Sequence, residues 1–416
     1  MHQFINISPQ IIIMQPEFIE MDAKAKEEGK LYLKYRFVYS RIKKHLQERV
    51  FIAIIGPRGA GKTIMLKQLL CETESSFYIS LDTQKPEEGL YNLAKDLIER
   101  GIRFLLLDEV HGYPGFEKEL KKIHDFLPQI NIVLTSSSAI SLHEASVDLS
   151  RRVRIIYCPP FSLREFISFE KNETPPPLSL NILLDEKKAK EYYGKVLHTE
   201  SAFESYLKGR NYPFTIGKIG FMPLFRSILE KIINDDLVIK ERVSLEESFE
   251  IRKVLAFIGK SPSEGISYSS IASNCGITKY KSEKFVSLLE KALVLHAIMP
   301  KGTNLNKEPK ILIAPPYRLL YRDYEDCIGA MREDFFVDSM IGLGFQVSYL
   351  KSMRGKKIPD YIVDDLIFEI GGVSKSASQF KGFKSKERII LTQPGAIDAI
   401  RRPLFLIGML DPLVGL

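Results

Sequence analysis

The chain contains the stretch Gly56-Pro57-Arg58-Gly59-Ala60-Gly61-Lys62-Thr63, which matches the phosphate-binding loop pattern G-x-x-x-x-G-K-[ST] at every fixed position. The apolar run 51–55 precedes this loop as a buried strand would, and a helix-like segment, 63–70, follows it. A strand, a glycine loop and a helix N-terminus together direct backbone N–H groups at a phosphate. The alternative is a chance glycine-rich turn, and the flanking segments favour the phosphate loop.

The residue types in this loop predict separate roles in holding a nucleotide. Glycines let the backbone wrap closely around the anion. We expect Lys62 to reach the β- and γ-phosphates and the Thr63 hydroxyl to bind Mg²⁺. The predicted nucleotide-binding segment is therefore Gly56 through Thr63, with Ile64 next to it.

A second motif follows about 45 residues later, where an apolar strand-like run, 103–107, ends in Asp108 and Glu109. An Asp at the carboxyl end of such a strand is expected to hold the Mg²⁺ shell. Glu109 is a candidate for orienting and polarising an attacking water molecule, as a general base must. An acidic turn after a core strand is the alternative. The distance from the phosphate loop favours the nucleotide motif, and the Asp-Glu pair favours hydrolysis over binding alone.

Two more apolar runs continue the pattern along the chain. Residues 131–138 read as a buried strand that ends in hydroxyls, so either Thr135 or Ser136 is expected beside the γ-phosphate. Residues 152–157 read as the next strand, with Arg151 and Arg152 at its entrance. An arginine there can touch the γ-phosphate, from the same chain or from a neighbouring copy. Solvation of a surface turn is the equally weighted alternative, and a homo-oligomer is therefore one expectation.

Composition places the chain among water-soluble globular proteins. It has 416 residues, 45% hydrophobic and 27% charged, with a formal net charge of +7. No apolar run reaches the roughly 18 residues of a membrane span, and no secretory signal is evident at the N-terminus. The four cysteines are scattered, which indicates a reduced, cytoplasmic setting. The mild positive charge permits contact with nucleic acid without requiring it. His111, after the acidic pair, is more often a loop histidine than a functional one.

Strands and helices alternate through the first part of the chain, which predicts a parallel α/β sheet covered on both faces. Ligands bind such sheets at the carboxyl ends of the strands, where both motifs lie. The predicted fold class is α/β, a P-loop NTPase sheet followed by further domains. The predicted order is an N-terminal arm, 1–34; the ATPase core, 35–160; a helical lid, 161–244; a winged helix, 245–314; and a nuclease-like α/β domain, 315–416.

Residues 245–314 predict three helices followed by a hairpin, the order of a winged helix. Thr278 is the expected N-cap of the third helix. That helix begins with Lys279, Lys281 and Lys284 and is the element that enters the major groove in DNA-binding members. The alternative is a protein-interaction or spacer module with a solvated lysine face.

The C-terminal part shows a helix, then strands, then an Asp and a Glu on successive strands. This is the layout of restriction-endonuclease-like folds, in which such acids gather a divalent metal. The candidates are Glu333, Asp360 and Glu369. Gly371 occupies the position of the expected lysine, and Lys375 is the nearest basic residue. We therefore expect an inactive nuclease-like domain.

Taken together, the motifs resemble those of a large prokaryotic family of AAA+-type ATPases with a C-terminal domain of unknown function. The resemblance covers nearly the full length and implies ATP as the nucleotide. It rests on these segments: Gly56 to Thr63, Leu107 to Glu109, Thr135 to Ser138, Leu149 to Arg152, the run from Phe161, Tyr206 to Pro213, and Glu369 to Gly372.

Three functions follow as hypotheses. The first is a Mg²⁺-dependent ATPase that acts as a switch or motor, coupled to DNA or to a protein. In this hypothesis Lys62 holds the phosphates and Glu109 orients the water. Ser136 senses the γ-phosphate, and Arg152 stabilises the transferred charge or couples subunits. The second is an ATP-gated metal-dependent nuclease. The third is an ATP-loaded scaffold that does not turn over and binds a protein partner.

Overall fold

The computed structural model describes residues 15–137, 151–302, 308–350, 359–372 and 387–411. Ser138, Leu149 and Lys375, which the sequence analysis singled out, lie outside these ranges. The chain divides into two units. The first unit comprises residues 1–55 and 61–157, and the second comprises residues 56–60 and 158–416.

A parallel sheet organises the first unit. Within the described residues it has five strands in the order β2-β3-β4-β1-β5, and every neighbouring pair is parallel. The strands read as nearly continuous apolar runs because helices cover both faces of such a sheet. Their bounds are β1 Phe51–Ile55, β2 Ser76–Ser80, β3 Phe104–Asp108, β4 Asn131–Ser136 and β5 Val153–Tyr157.

Helices and one 3₁₀ turn connect these strands. The helices are α1 Pro16–Gly29, α2 Tyr39–His45, α3 Lys62–Glu72, α4 Leu90–Glu99 and α5 Phe116–Phe126, and the turn is Val110–Gly112. The core holds apolar side chains from the strands together with Leu97 of α4 and Leu120 of α5. The α/β class and the parallel sheet predicted from the sequence are thus present.

Helix α1 corrects the prediction of a separate N-terminal arm. Phe18 is buried in the core of the first unit. The Asp22 carboxylate accepts a hydrogen bond of 2.9 Å from the backbone N–H of Tyr78 on β2. The burial of Phe18 and the hydrogen bond to Asp22 therefore fix α1 to the sheet of the first unit.

Helices dominate the first half of the second unit. The α-helices are α6 Leu163–Lys171, α7 Leu180–Leu184, α8 Glu186–Val196, α9 Ser201–Ser205, α10 Met222–Lys231, α11 Leu245–Lys260, α12 Tyr268–Cys275, α13 Lys279–Lys291 and α14 Tyr324–Gly342. Short 3₁₀ segments are Leu197–Thr199, Pro213–Thr215, Tyr317–Leu320 and Leu404–Met409, and π-helical segments are Tyr206–Arg210 and Ile232–Lys240.

The predicted lid, 161–244, does not form a body of its own. Its first half, including Phe166 and Phe203, packs in one hydrophobic core with Phe335 of α14 and Phe405 near the C-terminus. Its second half, including Phe225, packs in another core with residues from α11 and α13. The sequence shows that these segments are apolar on one face, but not which distant segments cover them.

Helices α11, α12 and α13 precede two antiparallel strands, β6 Leu295–Ile298 and β7 Lys310–Ile313. Helix α13 begins at the predicted residue, and the Thr278 side chain caps it by accepting a hydrogen bond of 3.2 Å from the Lys281 N–H. This order of elements agrees with the one predicted from the sequence.

A mixed sheet packs against α14 near the C-terminus. In the described residues its strand order is β12-β11-β10-β9-β8. Strand β9 is antiparallel to both β8 and β10, whereas β10, β11 and β12 are parallel. The bounds are β8 Val347–Tyr349, β9 Tyr361–Val363, β10 Leu366–Gly371, β11 Glu387–Thr392 and β12 Arg401–Pro403. Among the residues that the structure describes, no helix has both the length and the apolar character needed to cross a bilayer.

Candidate nucleotide-binding site

The phosphate loop has a backbone that only glycine adopts readily at two points. Gly59 and Gly61 have φ of +85° and +91°, in the left-handed region. Gly61 directly precedes α3, and Lys62, the first residue of that helix, is buried. The loop therefore leads into a helix N-terminus, the geometry that binds a phosphate.

The beginning of the loop is packed closely within the second unit. A Cβ added to Gly56 would lie 2.0 Å from the Cys158 carbonyl oxygen, and one added to Gly59 would lie 2.6 Å from the Phe214 ring. Larger side chains at either position would displace backbone or an aromatic ring. The small residues of the motif thus also serve packing, which the pattern alone does not indicate.

Arg58 extends this packing by a two-point ion pair with Asp236 of the π-helical segment. The Arg58 Nε lies 2.9 Å from Asp236 Oδ2, and Nη2 lies 2.8 Å from Oδ1. The Lys240 ammonium also donates to Asp236, at 2.7 Å. Although burial opposes it, hydrogen bonds from Arg58 and then Lys240 lower the pKa of Asp236. Nothing in the sequence pointed to Asp236, which lies 178 residues from Arg58.

Asp108 ends β3 as a deeply buried carboxylate surrounded by hydroxyl groups. The Tyr78 hydroxyl donates to its Oδ2 at 2.9 Å, and the hydroxyls of Thr135 and Thr63 also hydrogen-bond to the carboxylate. Burial, followed by the charge of Glu109, raises the pKa of Asp108 despite these hydrogen bonds. A cation beside Asp108 would offset that cost, so this is a suitable place for a metal ion.

Glu109 is held at a sharp turn directly after the strand. Its φ of +52° is in the left-handed region, which is uncommon for a residue with a side chain. Its backbone N–H donates to Thr135 Oγ1 at 2.9 Å, and its Oε2 accepts from the Ser137 N–H at 3.3 Å. The ends of β3 and β4 therefore fix both the backbone and the carboxylate of Glu109.

His111 belongs to the same group of side chains. Its Nδ1 lies 3.0 Å from Glu109 Oε2 and 3.4 Å from Ser136 Oγ, and its side chain is only 1% exposed. From the sequence, His111 was expected to be a loop histidine, and no role was predicted for Tyr78. The signal for His111 was its place two residues after the acidic pair, whereas Tyr78 on β2 looked like an ordinary core residue.

Thr135 and Ser136, the two hydroxyl residues expected near the γ-phosphate, lie in different positions. Thr135 donates to Asp108 and accepts from the Glu109 backbone, while Ser136 lies beside His111. Both are fully buried at the carboxyl end of β4. Thr135 therefore organises the acidic pair. Ser136 instead lies beside His111, whose ring nitrogen can donate to it or to Glu109.

Arg151 and Arg152 are not placed to reach a phosphate of the same chain. The register pairs Phe51 with Val153, so both arginines precede β5 at the amino-terminal edge of the sheet. Asp108 and Ser136 lie at the carboxyl-terminal edge. Arg152 instead forms an ion pair with Asp125, with Nε 2.9 Å from Oδ1. The predicted contact within one chain is corrected, because strand direction puts an entrance residue opposite the phosphate loop.

The carboxylates proposed for a nuclease site also do not converge. Among the described residues, no group of three His, Cys, Asp or Glu side chains is placed to hold a metal ion. Glu333 accepts hydrogen bonds from Lys310 at 2.6 Å and Tyr361 at 2.7 Å, on the sheet face that α14 covers. On β10, Phe368 and Ile370 face that core, so Glu369 points to the opposite face.

Comparison with known proteins agrees with this geometry. Residues 48–167 match the AAA domain family. An uncharacterised protein of Methanocaldococcus jannaschii is 27% identical over 402 residues, covering 86% of this chain and 83% of that protein. A shikimate kinase of Nitrosococcus oceani is 31% identical over 145 residues, covering 33% of this chain and 70% of the kinase.

Among solved structures, the Walker-type ATPase of Pyrococcus abyssi is similar with 14% identity and a TM-score of 0.41, over 70% of this chain and 95% of that one. The sheet, the glycine loop and the acidic strand end define a P-loop nucleotide-binding protein. More particularly, residues 48–167 match the AAA domain family, which supports a P-loop ATPase.

Proposed function

We propose that the protein is a Mg²⁺-dependent ATPase that acts as a nucleotide-driven switch. The observation that carries the proposal is the Asp108–Glu109 pair at the end of β3, with hydroxyl groups on both sides of it. A buried Asp suits a metal-bound nucleotide, and an adjacent Glu held by the next strand suits a water molecule as acceptor.

In the proposed reaction, residues of the phosphate loop and of the ends of β3 and β4 have separate roles. Residues Gly56 through Thr63, with Ile64 behind them, wrap the phosphates, and Lys62 neutralises the β- and γ-phosphate charge. Glu109 orients the attacking water and accepts its proton. Ser136 senses the γ-phosphate. Arg152 has a role only if it meets the nucleotide of a neighbouring copy, since it lies at the far edge of its own sheet.

The donor set near Asp108 fits Mg²⁺. A carboxylate and a hydroxyl in hydrogen-bond contact, Asp108 and Thr63, are the oxygen ligands that this ion prefers alongside phosphate oxygens. When bound, Mg²⁺ neutralises charge on the phosphates during transfer. The protein then needs only to position the γ-phosphate and the water.

We further propose that residues 245–314 are a winged helix that contacts a protein rather than DNA. The lysines that begin α13 are neutralised by carboxylates of their own unit. Lys281 lies 2.8 Å from Glu250, Lys284 lies 2.6 Å from Glu247 and Lys279 lies 2.6 Å from Glu308.

Glu308 shows how firmly one of these lysines is engaged. Although burial opposes it, hydrogen bonds from Lys279 and then Ser269 lower the pKa of Glu308 to about 2. A lysine ammonium that is paired with such a carboxylate contributes little net positive charge for binding the phosphate backbone of DNA. The ATP-gated nuclease is not proposed, because Glu333 and Glu369 lie on opposite sides of the sheet.

Phosphate release by the purified protein, with Mg²⁺ and ATP, tests the proposal. Wild type should turn over, Glu109→Gln should bind ATP with little turnover, and Lys62→Ala should lose ATP affinity. Losses of about 100-fold or more in kcat are expected for Glu109→Gln, the range for a general base. Tight binding without turnover by wild type would instead favour the scaffold hypothesis, and unchanged turnover in both variants would refute the site.

A further inference from the structure

We propose that His111 is a positioning residue for Glu109 and links it to the hydroxyl of Ser136. This inference rests on the proposed ATPase function and concerns the same site. Its basis is geometric, since one imidazole nitrogen, Nδ1, lies within reach of both side chains. Neither the phosphate-loop motif nor the Asp108–Glu109 motif assigns a role to His111.

The distances define the preferred hydrogen bond. Nδ1 is 3.0 Å from Glu109 Oε2 and 3.4 Å from Ser136 Oγ. A single N–H makes one good hydrogen bond, and the carboxylate is both nearer and charged, so Nδ1–H donates to Glu109. That hydrogen bond selects the tautomer with the proton on Nδ1 and fixes one oxygen of Glu109.

Ser136 makes this arrangement responsive to nucleotide. In the structure its hydroxyl lies at the edge of hydrogen-bond distance from Nδ1 and competes weakly for the same N–H. When the Ser136 hydroxyl turns to a γ-phosphate, that competition ends and the Nδ1–H donates to Glu109 only, beside the Ser137 N–H on the same oxygen. The carboxylate is then oriented for water only when the γ-phosphate is present.

Burial makes the imidazole a rigid support. The His111 side chain is 1% exposed and follows the strained turn at Glu109, within the 3₁₀ segment Val110–Gly112. A side chain packed so closely has few other orientations. Displacement of a catalytic group by about 1 Å can cost about 100-fold in rate, so the support matters kinetically.

Three substitutions separate positioning from packing. Asn places an amide N–H where Nδ1 lies, Gln places it nearer to Nε2, and Ala removes the donor. We expect His111→Ala to lower kcat by about 10- to 100-fold with little change in KM or in ATP affinity. His111→Asn should recover most of that loss, whereas His111→Gln, although closer to His in size, should recover less. His198→Ala, at an exposed histidine of the second unit, is the matched control.

The experiment includes wild type, Glu109→Gln and a melting temperature for each variant. Recovery by Asn but not Gln, at similar melting temperatures, is the expected result. Equal turnover in Asn and Gln variants, or a fall that follows the melting temperature, would overturn the inference. If Glu109→Gln loses turnover while His111→Ala retains it, only the role of His111 fails. If wild type itself shows no turnover, the proposed function fails and this inference with it.

Discussion

Single side chains decide how the Asp108 carboxylate is accommodated in the core. Tyr78 donates to it at 2.9 Å from the neighbouring strand, and burial followed by the charge of Asp108 raises the pKa of Tyr78, so the phenol stays protonated and remains a donor. With Thr63 and Thr135 it supplies the hydrogen bonds that offset burial of the charge. The Asp108 carboxylate, at the end of a third strand, is thus surrounded by hydroxyl groups from two strands and one helix.

Tyr78→Phe should therefore destabilise the nucleotide-free protein. The substitution removes one donor to a buried carboxylate, which costs about 1.5–3 kcal/mol of unfolding free energy. Thermal unfolding followed by circular dichroism measures the loss. Tyr280→Phe, at a tyrosine that is 76% exposed, is the control and should melt like wild type. Equal melting of both variants would show that the Tyr78 hydroxyl does not support Asp108.

Much of the site was predictable at this scale because its motifs are local. The loop, Asp108 and Glu109 follow from contiguous residues. For Arg152, the position at the strand entrance was predicted, but the contact with a phosphate of the same chain does not follow from it. A residue at the entrance of a parallel strand lies at the edge opposite the phosphate loop. Asp236 was beyond prediction, because it meets Arg58 only through folding of a distant segment.

At the scale of elements, the ion pair between Arg58 and Asp236 joins the phosphate loop to the π-helical segment Ile232–Lys240 within the second unit. Both side chains are largely buried, at 12% and 6% exposed. Gly59 packs on Phe214 in the same region. Movement of the loop upon phosphate binding would therefore move this helical segment as well. A nucleotide-driven switch requires such a connection between the phosphate site and another part of the protein.

A double-mutant cycle measures this connection. Arg58→Ala, Asp236→Ala and the double variant should give a coupling energy of about 1–3 kcal/mol, because the pair is buried and has two-point geometry. The exposed pair Arg154–Glu48 is the control and should couple by less than about 1 kcal/mol. Urea unfolding followed by circular dichroism is suitable, since the chain has no tryptophan. Equal coupling in both pairs would mean that the loop is not held by Asp236.

Element positions followed from the sequence more accurately than their contacts. The start of helix α13 was predicted to the residue because Thr278 is a strong cap. Strand parity separates two of the three candidate carboxylates of the nuclease-like domain. Glu369 alternates with Phe368 and Ile370, which face α14, so it cannot share that face with Glu333.

For the whole molecule, the sequence predicted five consecutive parts where the structure has two units. The difference arises because apolar faces in residues 161–207 are buried by residues 324–410, a pairing that no local pattern reveals. Net charge is a similarly global property. At +7 it permits contact with nucleic acid, yet the lysines of α13 are each paired with a carboxylate.

We therefore expect duplex DNA to leave ATP turnover unchanged and to bind only weakly, with a Kd of about 10⁻⁴–10⁻⁶ M at physiological salt. Exchanging the pairing carboxylates for amides should strengthen binding and its salt dependence, because it releases the lysines. The variant is Glu247→Gln, Glu250→Gln and Glu308→Gln, and a control of equal charge is Glu87→Gln, Glu88→Gln and Glu191→Gln, at exposed positions. Fluorescence anisotropy of a labelled duplex compares them. Tight binding by wild type that Lys281→Ala weakens would show instead that α13 contacts DNA despite its ion pairs.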